Sequence, residues 1–177
     1  MKREPLIQAF SQLGIVLRNI GENKPWNNFE IGVTANEYEK LISIIETLKH
    51  HNGWFTEPMI RKAMLNLGRS LEKGRLEAWC SKYTFASQPK NVAVIMAGNI
   101  PLVGFHDFLS VLISGHKVVV KMSSSDNILM KIIIEKLIKI APEFNNLILF
   151  IDDIKSNSFN AVIATGSDNS AKYFESV

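Results

Sequence analysis

The sequence predicts an α/β fold: a helical N-terminal part over residues 1–88, then a Rossmann-like parallel sheet over residues 89–177. Three observations carry this. Before Ser87 the apolar residues recur only at helical spacing. From Asn91 onward, short β-branched runs alternate with helix-length apolar segments, the pattern of parallel strands joined by crossover helices. Polar residues gather where those strands end, and open α/β sheets bind their ligands outside the carboxyl ends of the strands.

Leu6, Ile7, Phe10, Leu13, Val16 and Leu17 mark a helix from Pro5 to Ile20, and the segment from Asn23 to Asn28, with Pro25, is a loop. Tyr38, Leu41, Ile42, Ile45 and Leu48 form one face of a second helix, from Ala35 to Leu48, which Asn52 and Gly53 end. Thr56 suits an N-cap, and Pro58 suits the first turn of the helix carrying Ile60, Met64, Leu65 and Leu67. A further helix is expected from Leu71 to Tyr83. The segment from Ser87 to Asn91, with Pro89, marks the change of period.

Val92, Val94 and Ile95 then predict a strand, and the segment from Phe105 to Ser114 a crossover helix. Val118, Val119 and Val120 predict the next strand. Met130, Ile133, Ile134, Leu137 and Ile138 sit at core spacing in a helix from Asn127 to Ile140, which Pro142 stops. The short apolar runs from Leu147 to Ile151 and from Ala161 to Ala164 read as buried strands, and a helix start is expected from Asp168 to Val177.

The composition is that of a soluble globular chain, 46% hydrophobic and 21% charged, with enough length for one domain and a substantial core. No apolar run approaches the roughly 18 residues needed to span a bilayer. The N-terminal MKREPLIQAF lacks the apolar core and cleavage site of a signal peptide. A single cysteine, Cys80, allows no internal disulfide and suits a reducing compartment, so a cytoplasmic location is expected. The net charge of +3 comes from scattered lysines, without the stripe of basic and aromatic residues that nucleic-acid binding would need.

Asn99 follows the first strand and precedes a helix expected to open near Pro101. Its amide can donate to an anionic oxygen, with free N–H groups of the helix start beside it; the alternative is a loop asparagine that bonds its own backbone. Lys121 ends the second strand and is followed by Ser123, Ser124 and Ser125 at the ligand-binding rim; alternatively, the lysine is solvated and the serines only cap the next helix. Thr165, Gly166 and Ser167 follow the last strand, where glycine lets backbone approach a phosphate closely and a helix start supplies donors; a plain strand-to-helix turn would look the same. There is no G-x-G-x-x-G. His106 and Asp107 are neighbours on a helix and so point apart, which argues against a mutual relay. His50 and His51 read as a solvated helix end, no residue spacing suggests a metal site, and Cys80 reads as a structural core cysteine.

Two blocks, AGNIPLVGFHDFLSVLISGHKVVVKMSSSD and NAVIATGSDNSAKYF, resemble the cofactor domain of the aldehyde dehydrogenase superfamily. The closest likeness is to the fatty acyl-CoA reductases of bacterial bioluminescence (LuxC-like). The resemblance covers the chain from about Asn91 to its end, and the helical half only in general character. It implies an aldehyde dehydrogenase-like fold in which Asn99 helps form the oxyanion hole. It also implies that Lys121, with Ser123 and Ser124 beside it, meets the adenosine ribose, and that Thr165, Gly166 and Ser167 meet the pyrophosphate. NAD-preferring members often carry glutamate where this chain has Ser124. A carboxylate there would repel a 2′-phosphate, so NADP(H) is the expected cofactor and NAD(H) stays open.

The family reaction reduces a fatty acyl thioester, such as an acyl-CoA, to an aldehyde through a cysteine thiolate. The resemblance places that cysteine in a separate domain downstream, not at Cys80. The expectation is therefore the N-terminal NADP(H)-binding portion of such a reductase, inactive alone, with links to fatty acid metabolism and luminescence. A homo-oligomer stays open; neither nucleic acid nor a membrane span is expected. The alternatives are a non-catalytic nucleotide-binding or interaction module completed by a partner chain, and a different doubly wound α/β protein.

Overall fold

The computed structural model describes residues 2–28, 30–154 and 158–165. Helix α1, Arg3–Gly21, buries Leu6, Ile7, Phe10, Leu13, Leu17 and Ile20 along one face, as the spacing predicts. Helix α2, Ala35–Thr47, opens on a capping box: the Thr34 hydroxyl accepts from the Glu37 N–H at 3.3 Å, and Glu37 accepts from the Thr34 N–H at 3.0 Å. A 3₁₀ turn, Leu48–His50, closes it.

Helix α3, Glu57–Ser70, starts after Thr56, whose hydroxyl makes no capping bond. Helix α4 is Lys73–Cys80, shorter than the span expected from Leu71 to Tyr83. Leu71 instead closes α3, its N–H bonding the Leu67 carbonyl at 3.0 Å, and Glu72 is extended (φ −58°, ψ 134°). At the other end the Tyr83 N–H folds back onto the Cys80 carbonyl at 3.1 Å in a turn.

The strands are β1, Asn91–Ile95, β2, Lys117–Lys121, β3, Ile148–Ile151, and β4, Ala161–Ala164. All pairings are parallel and the order is β3-β2-β1-β4. Helix α5, Phe105–Ile113, crosses from β1 to β2, and α6, Asn127–Ile140, from β2 to β3. Gly115, at φ +97°, makes the tight turn from α5 into β2 that a side chain would strain.

Val92, Val94, Val118 and Val120 share one sheet face and pack with Phe105, Phe108, Leu112, Leu129 and Ile133, so both crossover helices cover the same face. Helix α1 packs against them in turn, with the Phe10 ring edge-on to Phe105 (6.2 Å) and Phe144 (5.5 Å). Residues of the helical part and of the sheet thus join one hydrophobic cluster. Among the described residues the opposite face buries a small cluster, Ala93, Ile95, Val119 and Ile154.

Of the two strands expected to be buried, β3 buries only Ile148 and β4 buries no residue. Leu149, Phe150 and Val162 are all exposed. The reason is position: among the described residues β3 and β4 are the edge strands, and only β1 and β2 have a neighbour on each side. Among the described residues no helix is long and apolar enough to cross a membrane.

Candidate functional site

The chain leaves β1 for β2 and β3 on one side, then returns to add β4 on the other. The strand order therefore reverses at β1, and such a point of reversal is where open α/β sheets bind their ligands. Asn99 lies in the loop after β1, and Thr165 follows β4. Thr165 donates its hydroxyl to Asp107 Oδ2 at 2.5 Å, in the first turn of α5. Gly166 and Ser167, expected at the pyrophosphate, lie outside the described residues.

Asn99 is exposed, and among the described residues its amide has no hydrogen-bond partner. It therefore does not cap its own loop. The helix beside it opens later than expected, at Phe105 rather than near Pro101, with Gly104 at the N-cap. The residues from Ile100 to Gly104 form turns instead, and Leu102 takes a left-handed φ of +61° that blocks an earlier helical start.

Lys121 ends β2, level with Ile95 and Ile151 on its two neighbours. Lys121, Ser123 and Ser124 line a depression of about 670 Å³ with Lys131 and Glu135 of α6 and Asp152 after β3. Asn99 and Ser124 line a second depression, of about 700 Å³, with His51, Asn52 and Trp54. Ser124 is common to both, so the oxyanion candidate and the ribose candidate stand in adjoining hollows at the same end of the sheet.

The serines do not cap α6. Ser123 Oγ accepts from the Ser125 N–H at 3.2 Å, and the cap is Asp126, whose carboxylate accepts from the Met130 N–H at 3.3 Å. Asp126 is only 4% exposed, and its other oxygen accepts from the Leu102 N–H at 2.8 Å. It thereby joins the Asn99 loop to the serine loop. Burial is the main cause that raises its carboxyl to about 6, against the lowering effect of the Leu102 and Met130 amides. The aspartate before an apolar helical run was a legible capping signal; its second partner was not.

The loop after α2 was also missed as part of the site. Asn52 donates to the Ser125 carbonyl at 3.2 Å and accepts from the Trp54 N–H at 3.0 Å, which sets the 75%-exposed Trp54 at the wall of the Asn99 hollow. Nothing local in a helix-ending His-Asn-Gly-Trp stretch marks it as a neighbour of residues some seventy positions later.

His106 Nδ1 stands 4.0 Å from Asp107 Oδ1, beyond hydrogen-bond reach, while Asp107 bonds Thr165 and the His106 ring rests 5.7 Å from Trp79. Cys80 is buried and lines a hollow beside the C-terminal end of α5 with Arg3 and Tyr83, whereas Asn99 precedes the N-terminal end of that helix. Burial pushes its thiol up, the reverse of an activated nucleophile. Among the described residues no group of three or more His, Cys, Asp and Glu could hold a metal ion.

Comparison with protein-family models, with curated proteins and with solved structures found no match.

Proposed function

We propose that this chain is the NADP(H)-binding portion of an acyl-thioester reductase of the aldehyde dehydrogenase type, which turns fatty acyl thioesters such as acyl-CoA into aldehydes. One observation carries the reading: an amide without a partner among the described residues, Asn99, and a strand-ending cation, Lys121, stand at the carboxyl ends of adjacent parallel strands in hollows that meet at Ser124. Lys121 and the hydroxyls of Ser123 and Ser124 would hold the adenosine ribose and its 2′-phosphate. Lys131 adds a second positive charge to that hollow. Thr165 would approach the pyrophosphate, with Gly166 and Ser167.

Bound there, the nicotinamide supplies the hydride. Asn99 then donates its N–H to the oxygen that becomes negative as the acyl carbon is attacked, and it does so from a fixed loop without first giving up another bond. Cys80 does not serve as the attacking thiolate, because it lies away from Asn99 and its thiol is held protonated. The thiolate is thus assigned to another domain or chain, and this chain alone is inactive.

A second reading, that NAD(H) is the cofactor, is favoured by Asp152, a carboxylate in the same hollow able to accept from a ribose 2′-hydroxyl. Saturation-transfer NMR with NADPH and NADH tests both. NADPH should receive saturation at its adenine and ribose protons, weakly but above NADH, and Lys121→Ala should reduce it severalfold. Equal transfer in wild type and Lys121→Ala would overturn the assignment, and stronger transfer to NADH would favour the second reading.

A further inference from the structure

We propose that Asp126 is a positioning residue for Asn99: its carboxylate ties the loop after β1 to the first turn of α6 and so sets the Asn99 amide against the Ser124 rim. The consequence for cofactor binding rests on the function proposed above; the tie itself does not.

The geometry is that of a clamp between two loops. One carboxylate oxygen takes the Leu102 N–H at 2.8 Å and the other takes the Met130 N–H at 3.3 Å. Leu102 is three residues after Asn99 and holds a φ of +61°, a conformation that a leucine adopts only when its surroundings impose it. Its side chain is buried, so the residue is fixed at both ends, by packing and by the bond from its N–H. The other bonds of this stretch, Val103 N–H to Ile100 at 3.4 Å and Phe105 N–H to Leu102 at 3.0 Å, are internal to it and do not locate it against the serine loop.

The two amide bonds favour the ionised form, and burial outweighs them. Burial holds the carboxyl at about 6, within reach of ordinary solution conditions. Among the described residues few other titratable groups face it. The turn from Asn99 to Gly104 has no titratable side chain, the first turn of α6 has none before Lys131, and the loop after α2 contributes His51 to the hollow beside Asp126. Titration of Asp126 changes the acceptor that both amides meet, so the Leu102 amide and the loop it holds sense it.

The experiment uses the ¹⁵N-labelled chain, with the Leu102 backbone amide and the Asn99 side-chain amide followed from pH 5 to 8. In the wild type both signals should move together with a midpoint near 6. In Asp126→Asn neither should titrate, and in His51→Ala both should titrate as before. Exchange of the Leu102 amide should quicken at least tenfold in Asp126→Ala, while amides of β1 and β2 keep their protection. Asp126→Asn carries the test if the alanine variant fails to fold. A midpoint that disappears with His51, an Asn99 signal indifferent to both Asp126 variants, or unchanged Leu102 exchange on an intact sheet would each overturn the proposal. NADPH contact, read by saturation transfer, should fall severalfold in Asp126→Asn. If the loop loosens as expected and wild type shows no NADPH contact, the clamp stands and the cofactor reading falls.

Discussion

Gly98 and Ser123 approach so closely that no side chain fits between them: a Cβ on Gly98 would lie 2.6 Å from the Ser123 Cβ and 3.1 Å from the Asp126 backbone nitrogen. The loops that end β1 and β2 are therefore packed against each other just where Asn99 and Ser124 emerge. Gly98→Ala must push them apart and should cost about 1–3 kcal/mol, as overpacking does. Chemical denaturation of the single variant and of Gly98→Ala with Ser123→Gly checks this. The second change removes the obstructing side chain, so most of the loss should return. A single variant as stable as wild type would mean that the loops yield freely.

Asp126 should give stability an unusual pH dependence. Its folded-state carboxyl is raised from 3.8 to about 6, so the folded protein holds that proton more tightly than the unfolded chain. The contribution is fully present below 3.8 and is lost as pH rises through about 6. From this group alone, stability should fall by roughly 2–3 kcal/mol across that window. Asp126→Asn cannot ionise, so its stability relative to wild type should improve by that amount between pH 4 and pH 7. Parallel stability curves for the two proteins would contradict the shift.

Glu37 shows the opposite sign. It caps α2 and pairs with Lys139 of α6, with Lys136 also 3.5 Å away, so it fastens the helical part to the crossover helix. Its hydrogen bond from Lys139 is the largest cause that lowers its carboxyl from 4.5 to about 2. That stabilisation is present above 4.5 and lost as pH falls through about 2. Glu37→Gln should cost about 1–2 kcal/mol at pH 7. The difference from wild type should shrink steadily as the solution is acidified below pH 4, in denaturant titrations at each pH. A constant difference down to pH 2 would place the effect outside ionisation.

Ser124 is shared by the two hollows, and so a charge there should be felt by a cofactor in either. Ser124→Glu introduces a carboxylate that accepts from a 2′-hydroxyl and repels a 2′-phosphate. The ratio of NADH to NADPH affinity should rise by about tenfold or more, since 1.4 kcal/mol is a factor of ten. Competition binding measures it. An unaltered ratio would put Ser124 away from the ribose.

Asn99 is tested by activity together with stability. In a preparation that also supplies the thiolate, Asn99→Ala should lower the rate of acyl-thioester reduction by about 10²–10³, the usual loss for one oxyanion donor. Its melting temperature should barely move, because the exposed amide bonds nothing among the described residues. Asn99→Asp should be at least as damaging, since a carboxylate would face developing negative charge. Full activity in the aspartate variant would sink the oxyanion role.

The α/β class, the helical spacing of Leu6 to Ile20, and the valine runs of β1 and β2 were readable because they follow from local periodicity. So was the placement of Asn99 and Lys121 after strand ends, since chain order alone puts them there. Side-by-side order is another matter. Nothing in the Ala161–Ala164 run says that it pairs with β1 instead of β3, or that this leaves Val162 on an exposed edge. The same holds for Asn52 against Ser125 and for Leu102 against Asp126, bonds that span 73 and 24 residues. Each is made by two groups with ordinary local roles, a helix stop, a serine run, a turn and a cap. They become a site only when the parallel sheet sets its loops at one end and the packing of α1 on α5 and α6 draws the helical part against them.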